Sequence, residues 1–269
     1  MLSIICPCHN SIKVLDRLFD SIMKFNIDNN VFEIIFIDDG STDRTYSYLK
    51  EKQKKINRDV FDITVLKQTH KGPGAARNLG IRNSKYTYLG FMDSDDIWYD
   101  NKIKTCLDII IKDNNKHNFF IHDEIYKRSN NSLYKINNGK MMINNISKSL
   151  YIRNCFSTSA VILHKSLLKD NLFDESLMSS QDYDLWLKIS KDIKLLKIDS
   201  ILGEYIETSD SISSKYYLYR FYDQIRIAIR YRGFVSTLQF YKKILKIILS
   251  KQWVYGIRNI LSANKKHNY

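Results

Sequence analysis

Three carboxylates fall within four residues at Asp93-Ser94-Asp95-Asp96, directly after the apolar, strand-prone run Tyr86 to Met92. Carboxylates this close repel one another and lose hydration unless something positive sits among them, and a hard divalent cation with oxygen ligands is the usual remedy. Mg2+ or Mn2+ there would bridge to the phosphates of a ligand. An acidic turn alone is equally a solvated loop, so the motif takes its meaning from the segments that accompany it.

Three other segments carry chemistry. In Phe32 to Asp43, Asp38 and Asp39 close a buried strand, Gly40 permits a tight turn, and Asp43 is placed to cap a helix. A carboxylate at that strand end can accept hydrogen bonds from a base or a ribose. Gly72-Pro73-Gly74-Ala75-Ala76-Arg77-Asn78 offers a flexible loop, small residues for close helix packing, and a cation, Arg77, that could meet phosphate. As a dinucleotide fingerprint it fails, because it follows the third strand and lacks the third glycine and the ribose acid in their places. Gln181-Asp182-Tyr183-Asp184 opens a helix among aromatic residues. Asp182 there can act as a general base on an acceptor hydroxyl within about 3 Å, or it can simply cap the helix.

These loops need a scaffold. Leu2 to Cys6 reads as a strand that stops at Pro7, and Ile12, Leu15, Leu18, Phe19, Ile22 and Met23 fall at helical spacing. Val31 to Ile37 is the next strand and Thr45 to Ile56 the next helix. Val60 to Leu66, Gly74 to Asn83 and Tyr86 to Met92 continue the alternation as strand, helix and strand. Continuous apolar strands alternating with helices predict an α/β fold with a mostly parallel sheet covered on both faces. Ligands bind beyond the carboxyl ends of such strands, so Pro7 to Asn10, Asp38 to Asp43 and Asp93 to Asp96 should converge on one edge. Further on we expect a helix to about Lys112, strands at Phe119 to Tyr126, Thr158 to Leu163 and Ile193 to Ile198, and a helix at Tyr183 to Ser190. The Asn, Ser and Lys-rich stretch from about residue 127 to Ser149 reads as a surface excursion.

The chain has 269 residues, 44% of them hydrophobic, enough for one sizeable core or one domain plus an appendage. Cys6, Cys8, Cys106 and Cys155 have no disulfide-framework spacing, and the opening residues lack an export signal, which points to the reducing cytoplasm. Cys6-Pro7-Cys8 is expected to place its thiols on opposite strand faces, and no second pair completes a zinc set. The formal charge of +13 is concentrated in the tail, where residues 215 to 269 carry twelve Lys and Arg against one acid, Asp223. Aromatic and aliphatic residues alternate with the basic ones, and no apolar run reaches the roughly 18 residues needed to span a bilayer. Amphipathic helices on the inner face of an anionic membrane fit this pattern, with packing on the preceding domain as the alternative. A nucleic-acid partner is not expected, since no recognition signature accompanies the charge.

Taken together and in order, these motifs resemble the family 2 nucleotide-sugar glycosyltransferases, the inverting group with a Rossmann-like GT-A fold. Pro7 to Asn10 matches the family's Pro-x-x-Asn start, Asp38 to Asp43 its nucleotide loop, Gly72 to Asn78 its Gly-x-x-x-Ala-Arg-Asn segment, Asp93-Ser94-Asp95 its D-x-D motif, and Gln181-Asp182 its Glu-Asp pair. The resemblance implies a catalytic domain over residues 1 to 213 and a basic helical tail over 214 to 269. It implies that Pro7, His9, Asn10, Asp38, Asp39, Gly72, Arg77, Asp93 and Ser94 bind the nucleotide sugar, with Asp39 on the base and Asp93 on the ribose side. Asp95 would hold Mn2+ or Mg2+, and Asp182 would be the base that activates a glycan or lipid-linked acceptor. Two departures stand out: Gln181 replaces the usual Glu, and Tyr205 to Ser213 lacks the Arg and His that the family often carries there. They leave a binding or scaffold protein of the same fold, without turnover, as the alternative.

Overall fold

The computed structural model describes residues 1–25, 31–56, 61–128, 130–139, 145–207 and 217–250. The first half alternates as the apolar pattern requires: β1 (Leu2–Cys8), α1 (Ile12–Ile22), β2 (Phe32–Asp39), α2 (Thr45–Lys55), β3 (Asp62–Gln68), α3 (Pro73–Asn83) and β4 (Tyr88–Phe91). These strands lie in the order β3-β2-β1-β4, all parallel. Both faces of β1 and β2 are buried because successive side chains alternate between two cores. Ile4, Ile34 and Phe36 pack with Leu15, Leu18 and Phe19 of α1, whereas Ile5, Ile35 and Ile37 pack with Ala76 and Ile81 of α3. The close approach of α3 depends on Gly80, where an added Cβ would lie 2.6 Å from Ile5.

Two expectations about β1 are corrected. The strand does not stop at Pro7 but pairs with β2 as far as Cys8. Proline is tolerated because the Ile5 carbonyl takes the last hydrogen bond towards β4, from Met92, and Pro7 faces the same side beyond the end of that strand. Cys6 and Cys8 share a face, as residues two apart in a strand must, and their sulfurs are 4.0 Å apart. Both are free and buried.

The second half is mixed. After β5 (Ile97–Trp98) and α4 (Lys102–Asp113) come β6 (Phe119–Lys127), β7 (Leu133–Ile136), α5 (Ile146–Ile152), β8 (Val161–His164), α6 (Gln181–Ile189) and β9 (Leu195–Ile206). β8 joins β4 antiparallel and continues the sheet through β6, β9 and β5, with β7 paired to β6. Thr158–Ala160 is a turn of 3-10 helix rather than the start of the strand. The polar stretch after residue 127 is not only a surface excursion. It holds β7 and α5, and α5 buries Leu150 and Tyr151.

Two helices follow the sheet and its layers, α7 (Tyr217–Arg230) and α8 (Thr237–Ile248). Their inner faces are seated on these layers: Ile227, Ala228 and Ile247 join the core that contains Trp186 and Phe119. Tyr151 donates to the Ala228 carbonyl at 2.8 Å. No helix among the described residues is long and apolar enough to cross a membrane.

Candidate active site

The loops after β1 and β2 are locked together. Asn10 adopts a left-handed conformation at φ +50°, which asparagine tolerates better than most residues. Its Oδ1 accepts hydrogen bonds from the Thr42 N–H at 2.9 Å and the Asp43 N–H at 3.3 Å. Asp43 in turn serves two helices, accepting from Thr45 of α2 at 2.8 Å and from Ile12 of α1 at 3.3 Å. Partial burial would raise its pKa, but the bonds from Thr45 and Ile12 outweigh that and hold it low.

Asp39 is 2% exposed at the end of β2. Its carboxylate accepts the Lys71 and Gly72 backbone N–H groups at 2.9 and 2.8 Å and the Gln68 amide at 2.7 Å. His70 Nδ1 lies 2.8 Å from the same carboxylate, and His9 Nδ1 lies 2.8 Å from the Asp39 carbonyl. The two imidazoles stack with centroids 4.1 Å apart. Gly40, at φ +67°, makes this possible, since a Cβ there would stand 2.5 Å from the His70 nitrogen. Asp38, the next residue back, points to the opposite face, is fully buried, and has no hydrogen-bond partner for its carboxylate among the described residues.

The acidic loop after β4 is held from three sides. Arg77 of α3 pairs with Asp93 at 2.5 Å and lies over the Phe173 ring, so the cation that could have met a phosphate is engaged by a carboxylate. Ser94 bonds to Ser11 at 3.0 Å, and Arg17 donates to the Asp95 carbonyl at 2.7 Å. Asp96 is 1% exposed and takes a 2.5 Å bond from the Ser159 hydroxyl, whose oxygen also accepts the Asp93 N–H at 3.2 Å. Burial, then the neighbouring Asp93 and Asp95, push the Asp96 pKa well up. The same two acids add to the raised pKa of Cys6, after burial and Cys8, and of Tyr205, after burial and Asp96. Behind the loop, Lys102 is fully buried, donates to the Ser159 carbonyl at 2.6 Å and stands over the Trp98 ring. Desolvation lowers its pKa to about 7, against the pull of Glu124, Cys106 and Asp96.

At the start of α6, Ser180 takes a left-handed conformation at φ +55°. Gln181 turns inward, donating to the Leu177 carbonyl at 2.5 Å and packing on Gly74, where a Cβ would lie 3.0 Å from its amide carbon. Asp182 faces outward, partly exposed, and accepts from Asn154 at 3.1 Å. The N-cap position is held by Ser180, whose side chain makes no capping bond, and Asp182 stands in the first turn behind it. Asp184 is fully buried and pairs with Arg230 of α7 at 2.6 Å.

These contacts place the predicted residues along one sheet edge. His9, Asn10 and Ser11 join β1 to the β2 loop and to Ser94. Asp39 joins β2 to Gly72, and Gly74 meets the first turn of α6. Pro7 stays in β1, and Asp38 is directed away from the loops. Sequence reasoning missed Ser11, Gln68, His70, Lys102 and Ser159. His70, two residues before Gly72, and Ser11, directly after Asn10, had proximity as their only signal. The crowded carboxylates Asp93, Asp95 and Asp96 suit a hard cation, whose charge would relieve the repulsion that raises Asp96. A second group, His9, Asp39 and His70, brings ligand atoms within 4.8 Å of one another, a set better matched to a borderline metal.

The chain is 32% identical over 212 residues to an uncharacterized glycosyltransferase of Rickettsia conorii, covering 76% of this chain but only 32% of that relative; it spans about a third of that protein's length. It is 28% identical over 219 residues to the Escherichia coli UDP-Glc:alpha-D-GlcNAc-diphosphoundecaprenol beta-1,3-glucosyltransferase WfgD, covering 80% of each chain. The fold is that of S. aureus TarS in complex with UDP-GlcNAc, with a TM-score of 0.68 at 21% identity over 93% of this chain and 72% of that one. It is also that of the Pyrobaculum calidifontis mannosyltransferase PcManGT in complex with GDP-Man and Mn2+, with a TM-score of 0.66 at 13% identity over the whole of this chain and 75% of that one. The model of Glycosyl transferase family 2 matches residues 3–170, and with a GT-A-like fold as well, this chain belongs to that family.

Proposed function

We propose that this chain is a metal-dependent, inverting glycosyltransferase that moves a sugar from a nucleoside diphosphate sugar, a UDP-sugar, to a hydroxyl of a lipid-linked or surface-glycan acceptor at the inner face of the cell membrane. The observation that carries the reading is the union of Asp39, the Gly72 loop, the acidic loop and the first turn of α6 on one edge. The likeness to WfgD, a glucosyltransferase named for a diphosphoundecaprenol acceptor, supports the donor and acceptor classes. PcManGT with Mn2+ supports the metal.

In this reading Asp39 and the stacked imidazoles of His9 and His70 form the base end of the donor site. The lattice of bonds to Asp39 fixes that carboxylate in advance, so little order has to be gained on binding. Arg77 orients Asp93 for the ribose side, and Asp95 with its acidic neighbours holds the divalent cation, Mn2+ or Mg2+. When bound, that cation would offset charge on the departing diphosphate. Asp182, facing outward in the first turn of α6, takes the proton of the acceptor hydroxyl as its oxygen attacks from the face opposite the leaving group. A single displacement inverts the anomeric centre. Gln181 is spent on Leu177 and Gly74, so its departure from Glu alters a packing contact rather than the acceptor side, which favours turnover over a scaffold role.

The test is Asp182→Asn. Transfer should fall by roughly 10²- to 10⁴-fold, with UDP-sugar affinity by calorimetry unchanged; full turnover would remove Asp182 from the role. A thermal-shift screen of UDP, GDP and TDP sugars with and without Mn2+ identifies the donor and tests the ion. A shift with none of them would refute the donor class.

A further inference from the structure

α8 has two apolar faces where a helix docked on a globular body needs one. Phe240, Ile244 and Ile247 face the core. At about 100° per residue, Leu238, Tyr241, Leu245, Ile248 and Leu249 form a second stripe about 100° wide on the other side. All five are exposed, Leu238 at 64% and Leu249 at 67%. Lys242 and Lys246 flank the stripe and are exposed as well. In α7, Tyr219, Tyr222 and Ile229 are likewise exposed among Arg226 and Arg230.

Charge says what covers this surface. Between residues 217 and 250 Asp223 is the one acid. It is 2% exposed and its carboxylate is occupied by the Met178 and Ser179 N–H groups, both at 2.9 Å. Arg226 and Arg230 of α7 are already paired with Asp223, Asp174 and Asp184, so the uncompensated cations of the outward face are Lys242 and Lys246, beside the apolar stripe of α8, which contributes no acid of its own. Beside the stripe lies an open depression of about 520 Å³ lined by Lys148, Phe234, Val235, Leu238, Gln239 and Lys242, a mixture of polar and apolar side chains with two lysines among them. Apolar residues flanked by lysines are the signature of a helix lying in the headgroup region of an anionic bilayer.

We propose that α8 and its neighbouring depression are a docking surface for an anionic lipid bilayer, with the Leu238 to Leu249 stripe entering the headgroup boundary and Lys242, Lys246 and Lys148 meeting lipid phosphates. The surface lies outside the sugar-transfer site and does not depend on the reaction assigned to it. The experiment is flotation of the full chain with vesicles of equal parts phosphatidylglycerol and phosphatidylcholine, and with phosphatidylcholine alone. The wild type should float with the anionic vesicles and be released by salt. Leu238→Glu with Leu245→Glu, both at exposed positions, should abolish flotation without moving the unfolding midpoint. Lys242→Gln with Lys246→Gln should weaken binding roughly thirtyfold, as two lysines near such a surface imply. Three results would overturn the proposal: no flotation of the wild type, equal binding to both vesicle types, or flotation unaffected by Leu238→Glu with Leu245→Glu. Light scattering that showed those two changes splitting a dimer, with no vesicle binding, would assign the stripe to a second copy of the chain instead.

Discussion

Arg77 reaches from α3 to Asp93 at 2.5 Å, so the only cation of the Gly72 to Asn78 segment in contact with the acidic loop is a support for that loop. In the proposed reading Arg77→Ala should lower kcat/KM and Mn2+ affinity by roughly 10- to 100-fold, the usual cost of removing a partner that orients the loop of a metal site. Arg77→Lys should recover only part of this, because a lysine lacks the broad guanidinium that lies over the Phe173 ring while bonding Asp93. Metal titration of donor binding measures both.

Gly40 and Gly72 both have positive φ, +67° and +89°, but only Gly40 has backbone against it. Gly72→Ala should cost roughly 1–3 kcal/mol for the positive-φ, extended backbone alone, which is nearly restricted to glycine. Gly40→Ala should cost more and should also weaken donor binding, since its Cβ would displace His70 from Asp39. Chemical denaturation and donor calorimetry on the two variants separate these effects.

Lys102 gives the stability a pH signature. Its folded pKa, about 7, lies below its unfolded value of about 10.4. Between these values the unfolded chain binds the extra proton, so wild-type stability should rise with pH from about 7 to about 10 and be flat in this respect below 7. Lys102→Met lacks that dependence. The wild type should therefore gain on the variant as pH rises through this window, in denaturant midpoints read at matched pH. A constant difference would mean that the lysine titrates normally.

Arg230 bridges Asp184 at 2.6 Å and Asp174 at 2.9 Å. Arg230→Met should cost about 2 kcal/mol, less than the 3–5 of a wholly buried pair, because the guanidinium is a third exposed and Tyr231 and Lys188 remain near Asp184. Calorimetry should show a Tm lower by about 4–8 °C.

The parallel half of the fold was legible because runs such as Phe32 to Ile37 are apolar on both faces and end in turn residues. The partners of the loops were not. Asp39 looks like a solvated turn until Lys71, Gly72 and Gln68, some thirty residues on, close over it. Lys102 and Glu124 carry charge that local pattern assigns to the surface, yet both are buried behind the acidic loop. The helix that closes the polar stretch after residue 127 escaped because its stabilising contacts, such as Tyr151 to Ala228, come from far along the chain, whereas β7 pairs locally with β6 and escaped because Leu133–Ile136 is short, exposed and has no apolar run. The common face of Cys6 and Cys8 was available from strand period alone, and the expectation was simply misassigned.

The grip of Arg230 and Tyr231 on Asp184 means that the last helices are a buttress for the turn that presents Asp182. Cutting the chain after Ser214 would strip that buried carboxylate of two of its partners, so an inactive truncation would report a loosened base as readily as a lost address. Point changes on the outer stripe of α8 keep the buttress standing and are the cleaner way to ask where the molecule works.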